Sequence, residues 1–501
     1  MRIKTIILAV LLSTAAAAES LRATELCGQA GRIAAELATI SGLKLRHPVP
    51  CDFITKEKVN EFLKKRVKDT TTPEEIRAEE LTLKKFGLVP PDFNLADSTV
   101  DLLTEQAAAF YDYDKKRLFV TETTSPETQE PVLAHELSHA IADQNFNLAH
   151  FIRQGRKSDD GSTARMAVME GQATWLMSEY LVRRLGQSLR NSPELVKMTS
   201  QLSETGGGNF PVFDQAPLYL RLTLVFPYTQ GMLFQNDVIA RDGNEGFAEV
   251  FKHAPASTQQ IIHPQKYFDN VQPTLPDLPD AHLPSGYKSL VGGTLGELDE
   301  KVLLEQFVGK ERAGEIAPHW RGSAFELREN KKLERTVLLY SAEWDSEQAA
   351  RDYLGAYRQA LVKKWKKMDV TSETPDAISG TGDEHVGFVD HVGRGAEVAG
   401  GRCARHAHDF LQRTQRGRMA IAERALVRVA FGQRRDGDVR HGEVRRIAPF
   451  GFVEPDQNQA VVLIGLRGHD LRYHDRQVVI ALRSFGRIAR QMVAVICEAG
   501  G

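Results

Sequence analysis

The sequence predicts an α+β fold: a mostly helical domain carrying a small sheet with an edge strand, then a smaller α/β C-terminal region. Three observations lead there. Apolar residues recur at helical spacing through residues 21–43 and 56–86. Residues 117–121 read as a strand and lead toward a helix containing His135-Glu136-Leu137-Ser138-His139. A Pro/Asp-rich stretch over 275–281, with Pro276 and Pro279, then marks a linker to the second region.

A chain of 501 residues has room for two or three domains with buried cores. Its 42% hydrophobic and 26% charged residues are ordinary for a globular protein, and a net charge of −2 gives no reason to expect a nucleic-acid partner. At the N-terminus a basic Met1-Arg2-Ile3-Lys4 precedes an apolar run over 5–12, and Ala16-Ala17-Ala18 offers a cleavage site. Residues 1–18 therefore read as a signal peptide, too short for a comfortable span, and the expected product is exported, periplasmic or secreted. An uncleaved anchor is the alternative. No later segment is apolar enough to cross a bilayer, so no transmembrane segment is expected after signal removal. Cys27 and Cys51 would pair in an oxidising compartment; two separate buried thiols are the other reading.

The elements follow in order. Residues 19–90 form an N-terminal helical region punctuated by Pro48, Pro50 and Pro73 and closed by Pro90-Pro91. Thr104-Glu105-Gln106 looks like a helix end, 110–114 aromatic and turn-like, and 117–121 a strand. Residues 124–131 carry helix-start signals, with Pro131 expected in the first turn of a helix reaching about Asn145. Ser158 is an N-cap candidate for a long helix over about 163–185, and Glu170 falls in its middle. Residues 186–216, with Gly206-Gly207-Gly208-Asn209, read as a polar surface excursion or a loop near a cleft. Helical signals resume over 218–253, interrupted at Pro227, and this domain spans 91–274. Residues 282–370 are mixed α/β, with a strand at 335–340 and an amphipathic helix over 346–367.

Composition breaks near residue 376. Residues 376–501 contain 19 Arg and no Lys, whereas 1–375 contain 24 Lys and 21 Arg. Two readings stand: a shift of reading frame leaving a tail with no selected fold, or an Arg-rich domain whose net charge of +4 suits anionic partners.

The motif at 135–139 carries the chemistry. Helix positions i and i+4 share a face, so His135 and His139 can ligate one Zn²⁺ with Glu136 beside them as general base. A third protein ligand would leave one coordination position open, as catalytic zinc sites require. The extended motif that draws a ligand from position 145 is excluded by Ala142 and Asn145. His150, Asp159 and Glu170 remain. Glu170 is favoured, because Met166, Ala167, Val168, Met169 and Ala173 mark its helix as buried, and a buried Glu needs a partner. Gly171 would allow the close approach of another helix.

Residues 135–143, HELSHAIAD, resemble the active-site helix of thermolysin-type gluzincins. With Gln144-Asn145-Phe146 and Glu170-Gly171-Gln172-Ala173, they are still more similar to little-characterised secreted bacterial metallopeptidases bearing HELxHALQDQ and EGxA motifs. Glu105-Gln106, Phe110-Tyr111-Asp112, residues 226–231 and residues 255–264 with Tyr267 extend the resemblance over about 95–270. It continues more loosely to about 370. The resemblance implies a zincin-like catalytic domain in which an edge strand beside the metal holds substrate by main-chain hydrogen bonds. It also implies Tyr228 and His263 as candidates for stabilising the tetrahedral oxyanion. The thermolysin pattern has Asp four residues after the ligand Glu, where this chain has Thr174; Asp143 is the candidate to orient an imidazole instead.

The expectation is a zinc-dependent peptidase that acts on peptide or protein substrates through zinc-activated water. The alternative is a non-catalytic exported zinc-binding or interaction protein that retains the fold. Glu136 favours the enzyme, since a purely structural zinc site usually has four protein ligands and needs no base.

Overall fold

The computed structural model describes residues 26–106, 109–121, 126–155, 158–205, 210–279, 281, 283–374, 377–382, 387–394, 424–431 and 461–466. The predicted signal peptide lies outside them, as does most of the Arg-rich tail. The described chain is α+β and mostly helical, and it divides into two compact units. Of the described residues, the first comprises those in 26–76 and 94–271, the second those in 77–93 and 272–466.

The first unit begins with a helix over 26–41 (α1) and a strand, β1 (Cys51–Ile54), followed by α2 (Lys56–Thr70). α3 (Pro73–Phe86) passes into the second unit. α4 (Leu95–Gln106), β2 (Ala109–Asp112) and β3 (Arg117–Thr121) return the chain to the first. The sheet order is β1-β3-β2: β1 runs parallel to β3, and β2 pairs antiparallel with it, Tyr111 opposite Leu118. Residues 110–112, expected as part of a turn, are thus strand, and the turn is confined to 113–116. Asp112 Oδ1 shapes it by accepting from the backbone N–H groups of Asp114 and Lys115, both at 3.0 Å.

α5 (Pro126–Phe146) carries the two-histidine motif, and Pro131 lies inside it, past the expected first turn. The helix runs through Pro131 and gives up one backbone hydrogen bond there. After α6 (Leu148–Gly155) comes α7 (Asp159–Arg183), whose N-cap Ser158 accepts from Gly161 N–H. The stretch expected as an excursion instead holds two helices, α8 (Pro193–Thr205) and α9 (Pro211–Gln215). α10 (Leu218–Asp242) continues through Pro227, and α11 (Gly246–Lys252), α12 (Thr258–Ile262) and α13 (Pro264–Phe268) close the unit.

One core joins these pieces. Ile33, Ala34 and Leu37 of α1 pack in the same cluster as Leu133 and Leu137 of α5 and Trp175 and Leu176 of α7. Cys27 and Cys51 form a disulfide that ties α1 to β1. The segment from 26 to 54 is therefore part of the unit that carries the motif. Packing α1 in the same cluster as α5 also fixes one face of the helix that carries the two-histidine motif.

The second unit contains β4 (Lys288–Gly293), α14 (Glu297–Val308), α15 (Lys310–Ile316), β5 (Trp320–Asn330), β6 (Arg335–Trp344) and α16 (Glu347–Lys364). β4, β5 and β6 form an antiparallel meander. Ser346 caps α16 by accepting from Ala349 N–H. β7 (Asp369–Thr374), β8 (Ala377–Thr381), β9 (Gly387–Arg394), β10 (Arg424–Phe431) and β11 (Val461–Leu466) extend the sheet to eight strands. Phe86 of α3 meets the rings of Phe325 and Tyr340 edge-on in this unit's core.

Candidate metal centre

Two helices build the centre. α5 presents His135 and His139 one turn apart, and α7 presents Glu170 from its buried middle. A third helix sets how α7 lies. A Cβ on Gly171 would stand 2.0 Å from the carbonyl carbon of Gly231 in α10, and one on Gly231 would stand 2.2 Å from Ala167 O. α7 and α10 therefore cross with backbones in contact, which only glycine at both positions allows. That crossing lies directly beside Glu170.

The donor atoms converge. His135 Nε2 and His139 Nε2 are 3.1 Å apart, and Glu170 Oε2 stands 3.3 Å from the first and 3.4 Å from the second. Ligand atoms about 2.0–2.1 Å from a tetrahedral zinc are separated by about 3.3 Å, so the triangle has the size that zinc requires. All three side chains are buried. Among the described residues this is the one group of three such side chains whose ligand atoms lie within 4.8 Å of one another.

The protonation chemistry fits the same ion. Burial pushes the His135 imidazole down, against its hydrogen bond to the Glu170 carboxylate, so it favours the neutral form. Burial would raise the Glu170 carboxyl, but the two imidazoles outweigh it and hold the group at about 2. Neutral imidazole and ionised carboxylate are the forms that ligate a divalent cation. Three atoms at the centre, His135 Nδ1, Glu136 Oε1 and Glu170 Oε1, are buried without a hydrogen-bond partner among the described residues. Polar atoms in that state need an ion, water or ligand nearby.

Glu136 lies beside the triangle, fully buried. Its Oε2 accepts from the backbone N–H of Tyr111 at 2.9 Å. Burial, and next the charge of Glu170, push its carboxyl well above the ordinary range. A cation at the triangle would act in the opposite sense. Tyr111 was not singled out for this task from sequence, because a backbone donor leaves no side-chain signature; the Phe110-Tyr111-Asp112 motif was the available signal.

The other candidates fall as follows. The Tyr228 ring stacks on His135 with centroids 6.0 Å apart. His263 sits at the junction of α12 and α13, where its N–H bonds Gln259 O, and it is not part of the converging group. His150 is exposed on α6, and Asp159 opens α7; neither joins the triangle. Asp143 does not orient an imidazole. It accepts from Tyr111 Oη at 2.9 Å, Lys116 Nζ at 2.6 Å and Leu148 N at 2.9 Å. Thr174 is buried, with its hydroxyl unpartnered among the described residues. Gln144 and Asn145 moor the end of α5 to the 44–47 segment, through Arg46 N, His47 N and Lys44 O.

A family model, Peptidase_M78, described as the IrrE N-terminal-like domain, matches residues 93–185. No curated protein and no solved structure matches the chain. The matched span contains His135, Glu136, His139 and Glu170 and every element from α4 to α7. The chain thus carries a metallopeptidase-like domain in which three ligand-type side chains meet where they can hold a metal ion.

Proposed function

We propose that this protein is an exported zinc-dependent peptidase, with a zincin-like catalytic unit of gluzincin type. The observation that carries the reading is the zinc-sized triangle of His135, His139 and Glu170 with Glu136 beside it. When held by those three residues, zinc supplies Lewis-acid chemistry, polarising a carbonyl and acidifying water.

The chain's own groups do the rest. Tyr111 N–H holds one oxygen of Glu136, and the other oxygen has no partner among the described residues. That free oxygen takes the proton of the attacking water and then delivers it to the leaving amine. β2 is the edge strand of its sheet, so an extended peptide docks along it by main-chain pairing. Tyr228, already against His135, is the first candidate donor to the tetrahedral oxyanion, and His263 the second. The Cys27–Cys51 disulfide favours an oxidising compartment and so supports export. No helix among the described residues is long and apolar enough to cross a membrane.

The test is metal analysis of the purified protein beside His139→Ala, followed by a peptide-library assay. One zinc per chain, lost in the variant, with peptide cleavage by the parent, is the expected result. A metal-free parent that stays so after reconstitution with zinc would refute the reading.

A further inference from the structure

We propose that Tyr111, clamped by Asp143 and Lys116, is a positioning residue that aims the edge strand β2 at Glu136. This rests on the reading of Glu136 as general base. Glu136 and Asp143 are seven residues apart on α5, two helical turns, and so share a face. Tyr111 binds both. Its backbone N–H donates to Glu136 Oε2 at 2.9 Å, and its phenol donates to Asp143 Oδ2 at 2.9 Å. Two attachment points on one helix fix how far β2 slides along it. A slide by one residue would reverse the alternation of the strand and turn the N–H offered to Glu136 toward β3.

The third member shows that the contact is built. The Asp143 side chain is 1% exposed, a depth at which a carboxylate needs strong partners. Lys116 supplies one, its Nζ at 2.6 Å from Oδ2. Lys116 has a φ of 55°, the left-handed region that favours glycine or asparagine. A turn chosen for backbone ease would not place lysine there. The side chain that reaches Asp143 accounts for the residue, and the hairpin that carries β2 is thereby pinned to α5 at its turn as well as along its edge.

The experiment compares the full-length parent with Tyr111→Phe, Lys116→Gly, Lys116→Arg and Glu136→Gln. Each is measured for zinc content, kcat and KM on a cleaved peptide, and hydrogen exchange of the 109–112 amides without metal. Tyr111→Phe keeps the ring and the N–H, and Lys116→Gly eases the backbone, so both variants should fold. The expected result is faster exchange at 109–112 and kcat lower by roughly 10- to 100-fold in both, with zinc content unchanged. Lys116→Arg, which keeps the cation, restores both readouts. Parental exchange and kcat in Tyr111→Phe and Lys116→Gly would overturn the clamp, even if melting temperatures fell. A failure of the underlying reading looks different: Glu136→Gln would then cleave peptide as the parent does.

Discussion

On the proposed reading, Glu136 is the residue at which metal binding and hydrolysis would come apart. It lies beside the triangle without being a corner of it, so Glu136→Gln should bind zinc as the parent does while kcat falls by about 10²- to 10⁴-fold. Glu170→Ala should instead lose most of the metal, and turnover with it, because it removes one corner of a three-residue site. Metal analysis and peptide turnover on the same preparations check both. Zinc loss in Glu136→Gln would make that residue a ligand. The histidine pair was legible in the sequence because helical geometry alone places i and i+4 on one face. Asp143 shows where such reasoning stops: spacing gives the face a side chain occupies, not the partner it meets. Its partners, Tyr111 and Lys116, come from a hairpin some 30 residues earlier in the chain.

At the scale of elements, the position of Glu170 depends on the crossing of α7 and α10. Gly171→Ala would drive a methyl group to 2.0 Å from the Gly231 backbone. The helices must part, at a cost of about 1–3 kcal/mol or more, and Glu170 moves with α7. Lower melting temperature together with reduced zinc occupancy is the expected outcome. Gly355 of α16 is the control: nothing lies within 4 Å of a Cβ there, so Gly355→Ala should add roughly 0.5–1 kcal/mol of stability. Chemically identical substitutions then differ in sign because of surroundings alone. The close approach at Gly171 was readable from its place after a buried Glu. β1 was not, since Cys51–Ile54 is four residues among prolines and its pairing with β3 is set by a distant part of the chain. α8 was missed for a related reason. Its sequence is mostly polar, and what holds it is tertiary packing of a few residues such as Val196.

The whole molecule holds two cores, and each carries buried carboxyl groups under different terms. In the first unit, the disulfide closes a 24-residue separation between α1 and β1. Replacing both cysteines with alanine should cost about 3 kcal/mol, read as a lower denaturant midpoint, with reductant affecting only the parent. In the second unit, Glu300 is fully buried on α14, where its carboxyl accepts from the Tyr340 hydroxyl. Burial pushes this group up to about 8; a hydrogen bond from Tyr353 opposes the shift and Asp299 adds to it. The sign of the pH effect follows. Between the ordinary carboxyl value of 4.5 and about 8, the folded chain holds a proton at Glu300 that the unfolded chain has released. Stability from this group is therefore fullest below pH 4.5 and falls as pH rises, by up to about 1.4 kcal/mol per unit, levelling above pH 8. Glu300→Gln keeps the shape and the acceptor and removes the ionisation. Its stability relative to the parent should be greater at pH 9 than at pH 5 in urea titrations. An equal difference at both pH values would mean that the Glu300 carboxyl is already ionised in the folded core at pH 5, with Tyr340 and Tyr353 supplying the hydrogen bonds that keep it so.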